Sequence, residues 1–469
     1  MILDTDSSCV APQQLSGADK EALVRVIRIP VLTILVLTIA ILTSGPVRAQ
    51  VKPGDVVTMT NAVLVKRLLS PGNYLLVEHG MTLDIVPTEK LEWPPPYKAA
   101  TEKYHAQVRL LPNGSLRNYT AGLPFPLLDP NDPQVALKVM WNYEFRPLYS
   151  DDVDLRYPEV ASHSAASKGR TLSFFTVKHF AFYNNIGRIE VPPVPTDPDA
   201  AASGIRYRFG FYPFLSPSTM RGFGLIRYRH IDPNLADDTW VFNPMTRRLR
   251  RESPAVLTDS IGMLPGFSGG GGASYGGVSA ANSASLVTTL DPDSYFGFSG
   301  RIGDYTYKFL GEKNMLACVD ARRSPEQACP SDGGLTGCPE NWEMRHLYII
   351  EANAKPGANF VISRRIFYID SEGWFITASD QYDRQGKLWK TIVAYNTYRD
   401  RPVAGALVAV YPYKRMFQLA LADVDVTSYT SSIIYMPGPN APDRECWYID
   451  MGVVDNSFFV PQRLQSSYH

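Results

Sequence analysis

The sequence predicts a mainly β protein with a few helices, built on an antiparallel meander, and three observations carry that prediction. Strand-like runs alternate apolar and polar residues with period two, as Ile205, Tyr207, Phe209 and Phe211 do against Arg206, Arg208 and Gly210. Such runs follow one another through tight turns, at Lys355-Pro356-Gly357 and Ser371-Glu372-Gly373, which is how neighbouring antiparallel strands are joined. The later strands lose the alternation. Phe367 and Ile369 fall on one face and Ile366 and Tyr368 on the other, while Leu388, Ile392 and Ala394 oppose Trp389, Val393 and Tyr395. A sheet wetted on one side alternates cleanly, so these strands are expected to be covered on both, by helices and by a lid or a ligand.

The first 49 residues read as a signal peptide. Arg25 and Arg28 precede the apolar run Ile29–Thr43, and Val47-Arg48-Ala49 fits a cleavage site, so the mature chain is expected to begin at Gln50. The run is short for a membrane span, which needs about 20 apolar residues; a retained anchor is the competing reading. Lys+Arg and Asp+Glu each total 46, and the leader holds four of each sign, so the mature protein stays neutral with 42 of each. That balance argues against a general nucleic-acid binder, which would show a basic excess. Hydrophobic content of 45% is ample for a packed core.

Four cysteines follow the leader: Cys318, Cys329, Cys338 and Cys446. An even number in an exported chain predicts disulfides, with Cys329–Cys338 the first choice, leaving Cys318 for Cys446; three pairings are allowed. Zinc would require C-x-x-C spacing or nearby histidines, and neither is present.

Residues 50–195 mix helices and strands within one elaborated domain, 50–469. TNAVLVKRLLSPG reads as a helix starting at Thr60 or Asn61 and stopping at Ser70-Pro71-Gly72. PPPYKAATEKYHAQVRLLPNGSLRNYT reads as a short helix and a hairpin turned at Pro112-Asn113-Gly114. DPNDPQVALKVMWNYEFRP predicts a helix capped by Asp132 with Pro133 at its first position. LSFFTVKHFAFYNNIGRIEV reads as a hairpin turning at Asn184-Asn185 or Gly187, and 192–204 as a loop and internal seam. The core meander follows over 205–412, interrupted by a Gly/Ser-rich stretch, 266–286, that is expected to be a flexible loop; 413–469 is a C-terminal extension.

Within that stretch GFSGG matches the G-x-S-x-G of a nucleophile elbow, but Pro265 before it and glycines after it deny Ser268 the strand and helix the elbow requires. The histidines, among them His179 and His346 in strand-like runs, show no metal spacing. Asp370, Asp380 and Asp383 sit near turns, where aspartate bonds its own backbone. No catalytic residue, metal site or cofactor is predicted. Trp240, Phe242, Tyr348, Phe367, Trp374 and Trp389 are the candidate lining of an apolar cavity, with core packing the plain alternative. Arg247, Arg248, Arg250 and Arg251 are candidate contacts for an anionic head group, and Arg206, Arg208, Arg227 and Arg229 are candidates to share their face; a solvated strand is the alternative.

TWVFNPMTRRLRR, DPDSYFGFSGRIGDYTYKFLGEKNMLA, WEMRHLYIIEA and RRIFYIDSEGWFITASDQYDRQGKLWK, taken with WPPPYKAATEKYHAQVRL and PFPLLDPNDP, resemble a large bacterial family described as a domain of unknown function, number thirteen twenty-nine. That family is placed near LolA and LolB, the periplasmic carriers of lipoproteins. The long segment before the apolar run and the glycine-rich insertion depart from a typical member. The resemblance implies a curved, incomplete antiparallel β half-barrel with helices on its concave face. It also implies a periplasmic, non-catalytic carrier of a lipid, sterol-like or acylated molecule, associated with the outer membrane and working with an efflux-type inner-membrane transporter and an outer-membrane protein. Two other readings compete. One is an accessory protein whose interior is filled by its own side chains and which docks through a sheet edge or loops. The other is a periplasmic hydrolase using Ser268 or His346.

Overall fold

Period-two patterning yields strands along most of the chain. The computed structural model describes residues 51–148, 151–252, 292–321, 328–356, 362–401, 412–436, 438 and 447–467. The leader, the Gly/Ser-rich stretch with Ser268, the Lys355-Pro356-Gly357 turn beyond Pro356, and Cys446 lie outside the described residues. In chain order the strands are β1 (Val56–Val57), β2 (Leu83–Ile85), β3 (Arg109–Leu110), β4 (Leu116–Arg117), β5 (Asp152–Arg156), β6 (Glu159–Ser164), β7 (Ser173–Asn184), β8 (Ile205–Ser216), β9 (Gly224–His230) and β10 (Asp238–Asn243). They continue as β11 (Arg248–Arg251), β12 (Tyr305–Ala317), β13 (Glu340–Ala354), β14 (Arg364–Asp370), β15 (Ile376–Tyr382), β16 (Leu388–Arg399), β17 (Arg415–Asp425), β18 (Thr430–Tyr435) and β19 (Trp447–Ile449). The helices are α1 (Pro71–Glu78), α2 (Pro95–Tyr104), α3 (Val135–Glu144), α4 (Pro198–Ser203) and α5 (Arg463–Ser466).

One large curved sheet results, with β3–β4 a separate hairpin. From one edge it runs β11, β10, β9, β8, β7. The long β7 pairs with β6 along its first half and with β5 along its second; β6 leads on to β18 and β5 to β19. From β18 the meander continues through β17, β16, β15, β14 and β13 to β12. All of these pairings are antiparallel. Among the described residues β11 and β12 do not pair, so the sheet stays an open, incomplete barrel. No helix among the described residues is long and apolar enough to cross a membrane.

Three local expectations are corrected. Ser70-Pro71-Gly72 starts a helix instead of stopping one: the Ser70 hydroxyl accepts the Asn73 N–H at the N-terminus of α1 and Pro71 takes the first position. Serine and proline there are start signals, because the hydroxyl satisfies an orphan N–H and proline lacks one. The preceding segment is a 3-10 turn, Met59–Val65, kinked at Asn61. Residues 173–184 form one long strand, not a hairpin. Its expected second arm is held as a loop by the buried guanidinium of Arg188, which donates to the carbonyls of Asp151, Asn184, Val191 and Pro193. Asp132 accepts the Gln134 N–H in a turn just before α3, so it caps that turn and not the helix itself.

The central strands are buried on both faces. Phe367 and Ile369 join Val139, Met140 and Tyr143 of α3 in one core, and Tyr368 joins Met315, Leu347 and Ala378 in another. Helix α1 docks on β15 and β16 through the buried Asp380 carboxylate, which accepts from Ser70 Oγ at 3.0 Å, Gly72 N at 3.2 Å and Thr391 Oγ1 at 2.9 Å. A side chain at Gly72 would put Cβ 2.4 Å from Asp380 Oδ1, so glycine is what permits the close approach. Cys329 and Cys338 form a disulfide, and Cys318 is buried and free among the described residues.

Candidate binding cavity

Strand alternation puts Phe180, Phe182 and Asn184 of β7 on one face, level with Phe211, Phe209 and Tyr207 of β8. Those three stand level in turn with Leu225, Arg227 and Arg229 of β9. The result is a lattice of three rows. Phe180–Phe211–Leu225 is wholly apolar, Phe182–Phe209–Arg227 ends in a charge, and Asn184–Tyr207–Arg229 is polar throughout. Val153 of β5 stands level with Phe182 and extends the middle row, and Asp151 just before β5 extends the polar one.

The cover stands off from this floor. Tyr97 of α2, Tyr119, and Phe145, Arg146 and Leu148 after α3 form one wall; Tyr295, Phe296 and Phe298 form the other. The Tyr143 hydroxyl donates to the carbonyls of Phe296 and Phe298, fastening the second wall to α3. The Phe296 ring lies tilted 5.8 Å from that of Phe180 and 5.7 Å from that of Phe182. Between floor and cover lies a partly open cavity of about 150 Å³. Gly187 lines it with φ +88, and a Cβ there would sit 3.0 Å from the Tyr119 hydroxyl, so a larger residue would be strained and would crowd the wall.

Charges gather at the polar end. Arg206 donates to the carboxylate and the carbonyl of Glu144 and lies 4.4 Å over the Phe145 ring. Arg229 donates to Asp237 at 2.7 Å and to the Ser299 and Gly300 carbonyls at 2.9 and 3.0 Å. Burial works against the charge of both members of that pair, yet mutual attraction wins: Arg229 is held above its ordinary range and Asp237 below the usual carboxylate range. Burial, and then Asp450, push the Asp151 carboxyl up, although it accepts the N–H groups of Ile189, Glu190 and Val191. The Tyr207 hydroxyl is pushed up by burial.

None of the six aromatic residues proposed from the sequence lines this cavity. Trp240 and Phe242 stand level with Ile226 and Gly224, so they face the opposite side of the sheet, under a C-terminal segment that brings Val454, Phe459 and Leu464. Tyr348 and Trp374 stack on each other at 5.4 Å in the α3 core. Phe367 is fully buried behind the wall, 5.0 Å from Phe298. The Trp389 indole donates to Asp425 at 2.8 Å beside a hairpin. Arg248, Arg250 and Arg251 are exposed on the edge strand β11 and Arg247 in the turn before it, with Arg251 on Asp238, and none reaches the cavity. Of the arginines named beside them, Arg206, Arg227 and Arg229 do line it; Arg208 points to Asn456 instead. Arg206 reaches the cavity because a bulge at Ile205/Tyr207 interrupts the alternation. Sequence reasoning missed Phe180, Phe182, Tyr295 and Phe296; the signal that was available is aromatic residues two apart in consecutive strands.

His179 lies 3.0 Å from Asp154 and His346 reaches Glu312 and Asn314, and neither lines the cavity. Among the described residues no group of three His, Cys, Asp or Glu side chains comes together to hold a metal ion.

The model of the family described as Protein of unknown function (DUF1329) matches residues 56–268 and 279–436. The chain belongs to that family. Its sequence is 24% identical, over 370 residues, to an uncharacterised protein of Pseudomonas aeruginosa, PA3922, covering 76% of this chain and 72% of the relative. It is similar to a solved putative outer membrane lipoprotein-sorting protein domain from Vibrio parahaemolyticus, with a TM-score of 0.42 and 14% identity over 70% of this chain and 98% of that one. It is similar also to a family member from Desulfovibrio piger, with a TM-score of 0.39 and 13% identity over 70% and 96%. A LolA superfamily protein from Nitrosomonas europaea gives 0.31 and 11% over 68% and 93%. At these scores the likeness carries no argument about ligand or role.

Proposed function

We propose that this protein is an exported, non-catalytic carrier that holds the apolar part of a lipophilic molecule in the cavity over β7, β8 and β9. The observation that supports this is the unfilled space above the Phe180–Phe182–Phe209–Phe211 floor. Protein interiors pack like organic crystals, so an unfilled apolar space of this size is a feature to be explained. At its apolar end a cavity of about 150 Å³ has room for a benzene-sized guest. The guest is therefore a ring system or a short acyl segment, with the rest of the molecule at the open mouth. The leader directs the chain to the periplasm in this reading, where an efflux-type inner-membrane transporter and an outer-membrane protein would hand over and receive the guest.

The test is native mass spectrometry with solvent extraction on protein purified from its own periplasm, together with calorimetric titration of octanol. A co-purified lipophile and saturable octanol binding are expected. Protein that is consistently empty and gives no heat with octanol would remove this reading and leave the docking role.

A further inference from the structure

Arg227 sits where the apolar floor meets the polar end, level with Phe209 on one neighbouring strand and Thr239 on the other. It is 4% exposed, yet among the described residues its side chain makes no hydrogen bond, and its Nε is a buried donor left over. Its ion-pair contact is Asp237 Oδ2 at 3.8 Å, and that same oxygen already accepts from Arg229 at 2.7 Å. Arg146, the one arginine on the wall without an ion pair among the described residues, donates to the Tyr143 carbonyl and lies 4.0 Å over the Tyr143 ring, with its Nε also unbonded. The cavity wall thus carries four arginines, Arg146, Arg206, Arg227 and Arg229, against the carboxylates of Glu144 and Asp151. Counting Asp237 behind Arg229 brings the acids to three, one short of the cations. A buried guanidinium with its fork unfilled is costly unless an anion completes it, and its planar donors match a carboxylate in two-point contact.

We propose that the cavity takes an amphipathic monoanion, a carboxylate on an apolar tail, with the carboxylate on Arg227 and the tail along Phe182, Phe209, Phe180 and Phe211. The charge excess of one favours a single negative charge over a doubly charged phosphate head. This inference rests on the carrier reading and adds the head group to it.

The experiment titrates octanoate and octanol, which share a tail and differ in charge, into the full mature chain by calorimetry. Wild-type protein is expected to bind octanoate about tenfold or more tightly than octanol, as one charge-assisted contact provides. Arg227→Gln is expected to bring octanoate down to the octanol level while leaving octanol unchanged, and Arg227→Lys to retain part of the difference. Arg250→Gln, on the exposed edge strand, serves as the control and should change neither. Equal wild-type affinities for the two, or an Arg227→Gln variant that weakens both alike, would overturn the head-group assignment and leave the carrier reading standing. Binding of neither by the wild-type protein would overturn both. The wild-type comparison needs no variant, so a poorly folding Arg227→Gln does not blunt the test.

Discussion

The two halves of the sheet are built from the same kind of strand and differ in what lies on them. On the β13–β16 half, the cover is in direct contact with the strands. Helix α1 seats its first turn on Asp380, and the buried Arg345 holds Asp370 at 2.7 Å, Glu343 at 3.0 Å, Glu372 at 2.8 Å and the Glu89 carbonyl at 2.6 Å. On the β7–β9 half, the walls meet the floor through tilted rings and through the hydrogen bonds of Arg206 and Arg229, and leave a hollow; the Arg227 side chain there has no hydrogen bond among the described residues. The difference teaches that packing is uneven along one sheet: one half is closed by a cover in direct contact, and the other keeps a hollow between aromatic rings.

The contrast can be broken most severely at Arg345. Arg345→Ala leaves the Asp370 and Glu343 carboxylates buried without their counter-charge and is expected to cost about 3–5 kcal/mol in urea denaturation. A loss under about 1 kcal/mol would show that the filled half does not depend on this network. A matched pair of truncations sharpens the comparison. Phe367→Ala, in the filled half at 0% exposure, is expected to cost about 3–5 kcal/mol, and the half-buried Phe182→Ala beside the cavity about 1 kcal/mol. Equal costs would mean that the hollow is as tightly packed as the core.

His163 gives a pH test at the seam where β6 meets β18. Burial alone pushes its imidazole down to about 4, and both ring nitrogens lack a hydrogen-bond partner among the described residues. The folded protein therefore keeps it neutral, whereas the unfolded chain takes up a proton below its ordinary value near 6.5. Stability from this group is complete above that value and is lost as pH falls towards 4, on the order of 2–3 kcal/mol in all. His163→Leu should flatten denaturation midpoints across that window; an unchanged slope would place the pH dependence elsewhere. The smallest effect on stability is expected from filling the hollow. Leu225→Trp should shift stability by less than about 1 kcal/mol, because space is already there, while lowering octanol affinity about tenfold. A large destabilisation would show that the space is not free to receive a ring.

Much of the fold was legible because strand patterning is local. RRIFYID and the Ser371-Glu372-Gly373 turn read as they fold, and IRYRFGF does so beyond the bulge at Ile205/Tyr207. The loss of alternation in β14 and β16 correctly signalled burial on both faces. Ser70-Pro71-Gly72 was misread because proline and glycine mark both ends of helices, and only the Asp380 carboxylate waiting on β15 shows which end this is. The site was less legible. Phe209 and Phe242 have the same side chain at equivalent strand positions, yet one lines the cavity and the other is roofed by the C-terminal segment. The RRLRR cluster drew attention by its density, but density marked an exposed edge. The arginines of IRYRH that line the cavity, Arg227 and Arg229, are thinly spaced.

By itself, then, the sequence determined most of the strands and, away from bulges, which side chains share a face, since each follows from the two-residue repeat and from turn chemistry within a few positions. Only the tertiary structure decided which face is covered tightly and which loosely, and so where the hollow lies. That choice depends on segments far apart in the chain landing on the sheet, α2 and α3 on one side and the C-terminal residues on the other, and no local repeat encodes where a distant segment comes to rest.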